Sequence, residues 1–122
     1  MDYRVELNNG QVINLSGVNE FDTNNFVKSL NSRISFINFG GAIVNKNLIA
    51  FINPENVDEG NEKINVQLNN GNSIIVGVDD DFNADEVVLS LNDLNVLFVA
   101  IGKLIINKNL IGTITPAAEQ SA

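Results

Sequence analysis

NKNLI, residues 45–49, returns letter for letter at residues 107–111. Outward from that word, residues 3–54 align with residues 64–116 through a single one-residue insertion, and 21 of the 52 aligned positions are identical. LNNG stands at 7–10 and 68–71, SLN at 29–31 and 90–92, and both stretches close on a proline, Pro54 and Pro116. Identities that keep one order along both halves mark an internal repeat and not chance convergence. The expected organisation is a first repeat over residues 1–54, a linker over 55–63, a second repeat over 64–116 and a disordered tail over 117–122.

Each copy opens with a hairpin pattern, YRVELNNGQVINLSG from Tyr3 and INVQLNNGNSIIVGV from Ile64. A two-residue turn at Asn9-Gly10 would set Val5 against the polar Asn14. A three-residue loop of Asn8, Asn9 and a left-handed Gly10 instead pairs Val5 with Ile13 and Tyr3 with Leu15. The same loop in the second copy pairs Val66 with Ile74 and Ile64 with Val76, so each hairpin has one apolar face.

Helix-start chemistry follows in FDTNNFVKSLN (21–31) and FNADEVVLSLN (82–92). Asp22 and Asn83 suit the N-cap, Phe21 and Phe82 can staple onto Phe26 and Val87, and Glu86 completes a capping box in the second copy. The apolar face, Phe26, Val27 and Leu30 or Val87, Val88 and Leu91, is expected to lie on the hairpin. The remainder, ISFINFGGAIVNKNLIAFINP and VLFVAIGKLIINKNLIGTITP, reads as three short strands broken by Gly40-Gly41 or Gly102-Lys103 and by the Asn-Lys-Asn corner. The expected fold is mainly β (α+β), a tandem duplication of a β-β-α-β-β-β unit, each a small barrel or curved sheet with one short helix.

A unit of about 55 residues buries only ~60% of its unfolded surface and is marginal alone. The stretch VLFVAIGKLII is apolar on adjacent as well as alternate positions, as a strand pair covered on both sides requires. The halves are therefore expected to pack about a pseudo-two-fold axis, or as successive subunits of a ring, with leftover strand edges open to further oligomerisation.

Composition narrows the chemistry. Cysteine and histidine are both absent, which removes disulfides, thiolate and imidazole catalysis and the usual zinc ligands; no cofactor is expected. A cysteine-free chain fits a reducing compartment, and a cytoplasmic location is the expectation. No run reaches the length of a membrane span, the greasiest being interrupted at Lys103, and MDYRVEL lacks the layout of a signal peptide. A net charge of -8 repels phosphate backbones and anionic lipid, so nucleic acid is a disfavoured partner and membrane is not expected.

The motif V-x-L-x-N-G is carried by Val5, Leu7, Asn9 and Gly10 and again by Val66, Leu68, Asn70 and Gly71. A second motif, an asparagine, an aliphatic strand and a proline, is carried by Asn47, Ile49, Ile52 and Pro54 and by Asn109, Ile111, Ile114 and Pro116. In these two motifs each copy resembles the Sm-like family of small RNA-binding β-barrels. The resemblance implies a small barrel and, as a function, RNA binding. The chain departs from it where the family has Arg-Gly before the last strand and this sequence has Asn45-Lys46 and Asn107-Lys108. It departs again in lacking the family's base-binding Asp-x-x-Met-Asn element and in placing its helix inside the unit.

Two groups of residues are candidates for binding. Lys46 and Lys108 occupy identical corners near Lys103, where they could grip phosphate or a carboxylate; the plain alternative is a solvated lysine at a turn. Asp79, Asp81 and Asn83 have the spacing that begins a calcium-binding loop, but Ala84 stands at its glycine position and Ser90 at its bidentate glutamate position. An acidic turn that caps a helix accounts for them without a metal. No carboxylate pair is placed by spacing on a common face and no glycine-rich phosphate cradle is present, so an enzyme is not expected. The expected function is a non-enzymatic structural or interaction module acting by self-assembly or protein contacts, as small accessory proteins of phages and mobile elements act. The alternatives are an Sm-like RNA binder and a small-ligand binder with its site between the repeats.

Overall fold

Both copies of LNNG turn the chain as their spacing requires. In the computed structural model, which describes residues 2–16, 23–54, 62–78 and 82–116, the first half runs β1 (Tyr3–Leu7), β2 (Val12–Leu15), α1 (Thr23–Leu30), β3 (Phe36–Phe39), β4 (Ala42–Asn45), a 3-10 turn (Lys46–Leu48) and β5 (Ile49–Pro54). The second half runs β6 (Glu62–Leu68), β7 (Ser73–Val78), α2 (Ala84–Leu91), β8 (Phe98–Ile101), β9 (Leu104–Asn107), a 3-10 turn (Lys108–Leu110) and β10 (Ile111–Pro116). The order of elements is thus the same twice, and the fold is mainly β. Strand β6 begins at Glu62, inside the expected linker; the rest of that linker and the expected tail lie outside the described residues.

Local chemistry explains each element. In β1 and β2, Val5 faces Ile13 and Tyr3 faces Leu15; in β6 and β7, Val66 faces Ile74 and Ile64 faces Val76. Gly10 and Gly71 supply the left-handed residue of each three-residue loop, at φ 92° and 96°. The amides of Gln11 and Asn72 donate to the side chains of Asn9 and Asn70, both at 2.9 Å. Between β3 and β4 the Gly40-Gly41 turn has φ of 61° and 94°, the two positive angles of a type I′ hairpin. Asn83 caps α2 by accepting from the Glu86 amide at 3.1 Å, whereas Phe21 and Asp22, the expected staple and cap of α1, lie outside the described residues.

The repeated word accounts for the corner between the last two strands of each half. The Oδ1 of Asn45 and of Asn107 each accept from the amide two residues on, at 2.9 Å, which starts the 3-10 turn. The carbonyl of Asn47 or Asn109 then accepts from the side chain of Asn8 or Asn69, tying the corner to the first loop. The following aliphatic residues open β5 and β10.

Three sheets result, with orders β2-β1-β5-β9-β8, β10-β6-β7 and β3-β4. The first sheet crosses between the halves, because β5 pairs with β9 through Phe51 opposite Ile106 and Ile52 opposite Ile105. Its central strands divide two cores. One core gathers Tyr3, Val5, Leu7, Leu30, Ile49 and Ile52 with Phe98 and Ile105 of the other half. The other gathers Ala50 and Phe51 with Val66, Leu68, Val99, Leu104 and Ile106. The β8–β9 hairpin is therefore covered on both sides, as apolar residues at adjacent positions of each strand require.

Two expectations need correction. Neither half closes into a barrel, because β5 finds its second neighbour in β9 of the other half and leaves β4 paired only with β3. The halves are not related by a pseudo-two-fold axis, which would set β10 on β4 as β5 sits on β9; among the described residues β10 pairs with β6 and not with β4. Helix α1 packs on the core of its own hairpin, as expected, and also lies against β8 of the second half. Among the described residues no helix is long and apolar enough to cross a membrane.

Candidate interaction surface

The corner lysines do not project. Lys46 is 7% exposed, and its ammonium donates to the carbonyl of Leu30 at 2.8 Å and to that of Ser32. The Leu30 carbonyl closes α1 and that of Ser32 lies just beyond it, so the cation sits at the helix's negative end. Lys108 repeats the arrangement in the second half by donating to the Asp93 carbonyl at 2.7 Å, just beyond α2. Lys103 is exposed in the β8–β9 turn. Asn83 spends its side-chain oxygen on the helix cap, and Asp79 and Asp81 lie outside the described residues. No group of three metal-capable side chains occurs among the described residues.

What holds the halves together includes a residue that sequence reasoning passed over. Asn31, at the end of α1, accepts from the amides of Leu97 and Phe98 at 2.7 and 2.8 Å and donates to the Phe98 carbonyl at 3.0 Å. One amide side chain thus satisfies the entry to β8 as a neighbouring strand would. Its counterpart Asn92 stands exposed at the end of α2.

The same inequality runs through the apolar residues. Phe98 is 0% exposed and Ile105 1%, both inside the core of the first half; their counterparts Phe36 and Ile43 are 61% and 77% exposed. The register explains why. In each hairpin one face packs on its own half, Ile37, Phe39 and Val44 in the first and Val99, Ile101, Leu104 and Ile106 in the second. The other face of β8–β9 is received between α1 and β5, whereas that of β3–β4 meets solvent.

In the second half the receiving site is empty of any such hairpin. Between α2 and β10 lies an apolar groove of about 460 Å³, walled by Val87, Val88 and Leu91 on the helix and by Ile111 and Ile114 on the strand. No residue of α2 is buried, although Leu30 in the matching position of α1 is. A second, more polar cleft of about 550 Å³ lies over β8 between α1 and α2, with Val27 and Asn31 on one side and Glu86 and Ser90 on the other.

A signal for this surface was present in the sequence. Asn31/Asn92, Phe36/Phe98 and Ile43/Ile105 are identical pairs between the halves, although only the first member or the last of each is engaged. No family model matches the chain, and no curated protein and no solved structure matches it either.

Proposed function

We propose that the chain is a non-enzymatic structural module, two copies of one β-β-α-β-β-β unit, that works by self-assembly. The observation that carries this reading is the complementary exposure of its two ends: a hairpin with a bare apolar face in the first half, an open apolar groove beside an unpaired strand edge in the second. Such edges and patches are surfaces that chains bury against one another. Contact with a different protein through the same surface is the variant of this reading.

The Sm-like RNA-binding reading draws on the corner lysines. The ammonium groups of Lys46 and Lys108 are occupied by backbone carbonyls, and a net charge of -8 opposes phosphate, so the protein reading is the better supported. Light scattering coupled to size exclusion, run as a dilution series, tests it. Masses above the 13.3 kDa chain that fall on dilution are expected; 13.3 kDa at every concentration contradicts self-assembly.

A further inference from the structure

The joint inside the chain is a template for one between chains. It consists of a hairpin, β8–β9, entering the space between a helix and the fifth strand of the other half: β9 pairs along β5, Phe98 and Ile105 fill the core, and Asn31 closes on the backbone at Leu97 and Phe98. The aligned positions supply a second set of both parts of this joint, and among the described residues neither part is occupied. The spare hairpin is β3–β4, with Phe36 and Ile43 exposed on the face that corresponds to Phe98 and Ile105. The spare receptor is the groove between α2 and β10, where the outer edge of β10 has no strand partner among the described residues and Asn92 is exposed at the end of the helix.

We propose that the β3–β4 hairpin of a second copy of this chain occupies the α2–β10 groove and repeats, between chains, the joint that β8–β9 makes with α1 and β5. This rests on the self-assembly reading and gives it a surface, a partner and a register. Carrying the intrachain pairs across the alignment, Thr113 lies opposite Val44 of the next chain, as Phe51 lies opposite Ile106, and Ile114 opposite Ile43, as Ile52 lies opposite Ile105. Phe36 and Ile43 enter the groove beside Val88 and Leu91, and Asn92 binds the backbone at Ser35 and Phe36 of the incoming strand. Three exposed apolar residues fall on these two surfaces: Phe36 and Ile43 on the hairpin face and Val88 on the wall of the groove. Ile34 and Leu48 are exposed close to the hairpin, whereas Val12, Ile75, Leu89 and Leu94 are exposed away from both surfaces.

The same geometry fixes the symmetry of the assembly. Each chain offers one hairpin and one groove, which are different surfaces, so the contact is head-to-tail and propagates until a ring closes or a filament grows. Removing the exposed Phe36 and Ile43 side chains from water favours the contact. An exposed phenylalanine and isoleucine facing water are not needed for the first half's own core, which already holds Ile37, Phe39 and Val44 from the same hairpin.

Two single variants, each disabling one part, test this by light scattering. Ile43→Asp spoils the hairpin and leaves the groove; Val88→Glu spoils the groove and leaves the hairpin. Both positions are exposed, Val88 at 52%, so neither change opens a core. Each variant alone is expected at 13.3 kDa under conditions where the parent chain assembles, and an equimolar mixture is expected to form a complex of two chains and nothing larger. Ile75→Asp, an equally exposed site on β7, at the far edge of the sheet from β10, is expected to assemble like the parent. Variants that still assemble, or a mixture that stays at the mass of one chain, overturn the joint while self-assembly stands. A parent chain that is monomeric throughout overturns both.

Discussion

Asn31 and Asn92 share a letter and a place in their helices, and they differ in what they hold. Replacing Asn31 by alanine removes three hydrogen bonds to the entry of β8, at a cost of about 2–4 kcal/mol. Asn92→Ala is expected to cost under ~0.5 kcal/mol in the isolated chain, because its side chain is exposed. Urea denaturation at low protein concentration separates the two; equal losses would mean that the clamp is not what distinguishes the halves. Lys46 makes a parallel case. Lys46→Met keeps the buried stem and strands the carbonyls of Leu30 and Ser32, for a loss of about 1–3 kcal/mol, read as a lower urea midpoint. At this scale the sequence disclosed the asparagines of the turns, whose side chains bond backbone two or three residues away. It did not disclose Asn31, whose partner lies 67 residues further on, or the inward turn of Lys46.

Hairpins and helices were legible because their determinants are local. The pairing of Val5 with Ile13 follows from the loop length and the alternation of apolar residues, and the cap of α2 from Asn83 and Glu86. The packing of α1 was only half legible: its face of Phe26, Val27 and Leu30 identified what is buried but not that β8 of the other half would share it. Turn glycines are equally unequal. A methyl on Gly102, at φ 59°, would stand 2.5 Å from the Gly77 carbonyl oxygen of β7, while one on Gly41, at φ 94°, meets nothing within 4 Å. Gly41→Ala therefore carries only the left-handed penalty of about 1–2 kcal/mol. Gly102→Ala adds a clash with a strand and is expected to lower the thermal midpoint further; the reverse ranking would mean that the β8–β9 turn does not pack on β7.

For the whole molecule, the order of elements in each half was readable and the pairing of strands between the halves was not. Two nearly equivalent fifth strands and two nearly equivalent fourth strands give the pattern no means of saying which pairs with which, so a barrel closed within each half and a sheet shared across them look alike in one dimension. The distinction lies in three dimensions, where β5 meets β9 and β10 meets no fourth strand. Among the described residues it leaves one joint filled and its counterpart open, and the proposed head-to-tail assembly rests on that inequality.

A chain without cysteine allows a direct measurement of that contact. In a double variant carrying Ile43→Cys and Ile114→Cys, the thiols of neighbouring chains are directly opposed in the proposed register, within the Cα separation of about 4.4–6.8 Å that a disulfide spans. Mild oxidation is expected to give a ladder of covalently linked chains on a non-reducing gel, collapsing to one band with reductant. A single band at the mass of one chain, under conditions where that variant assembles, would contradict the head-to-tail joint.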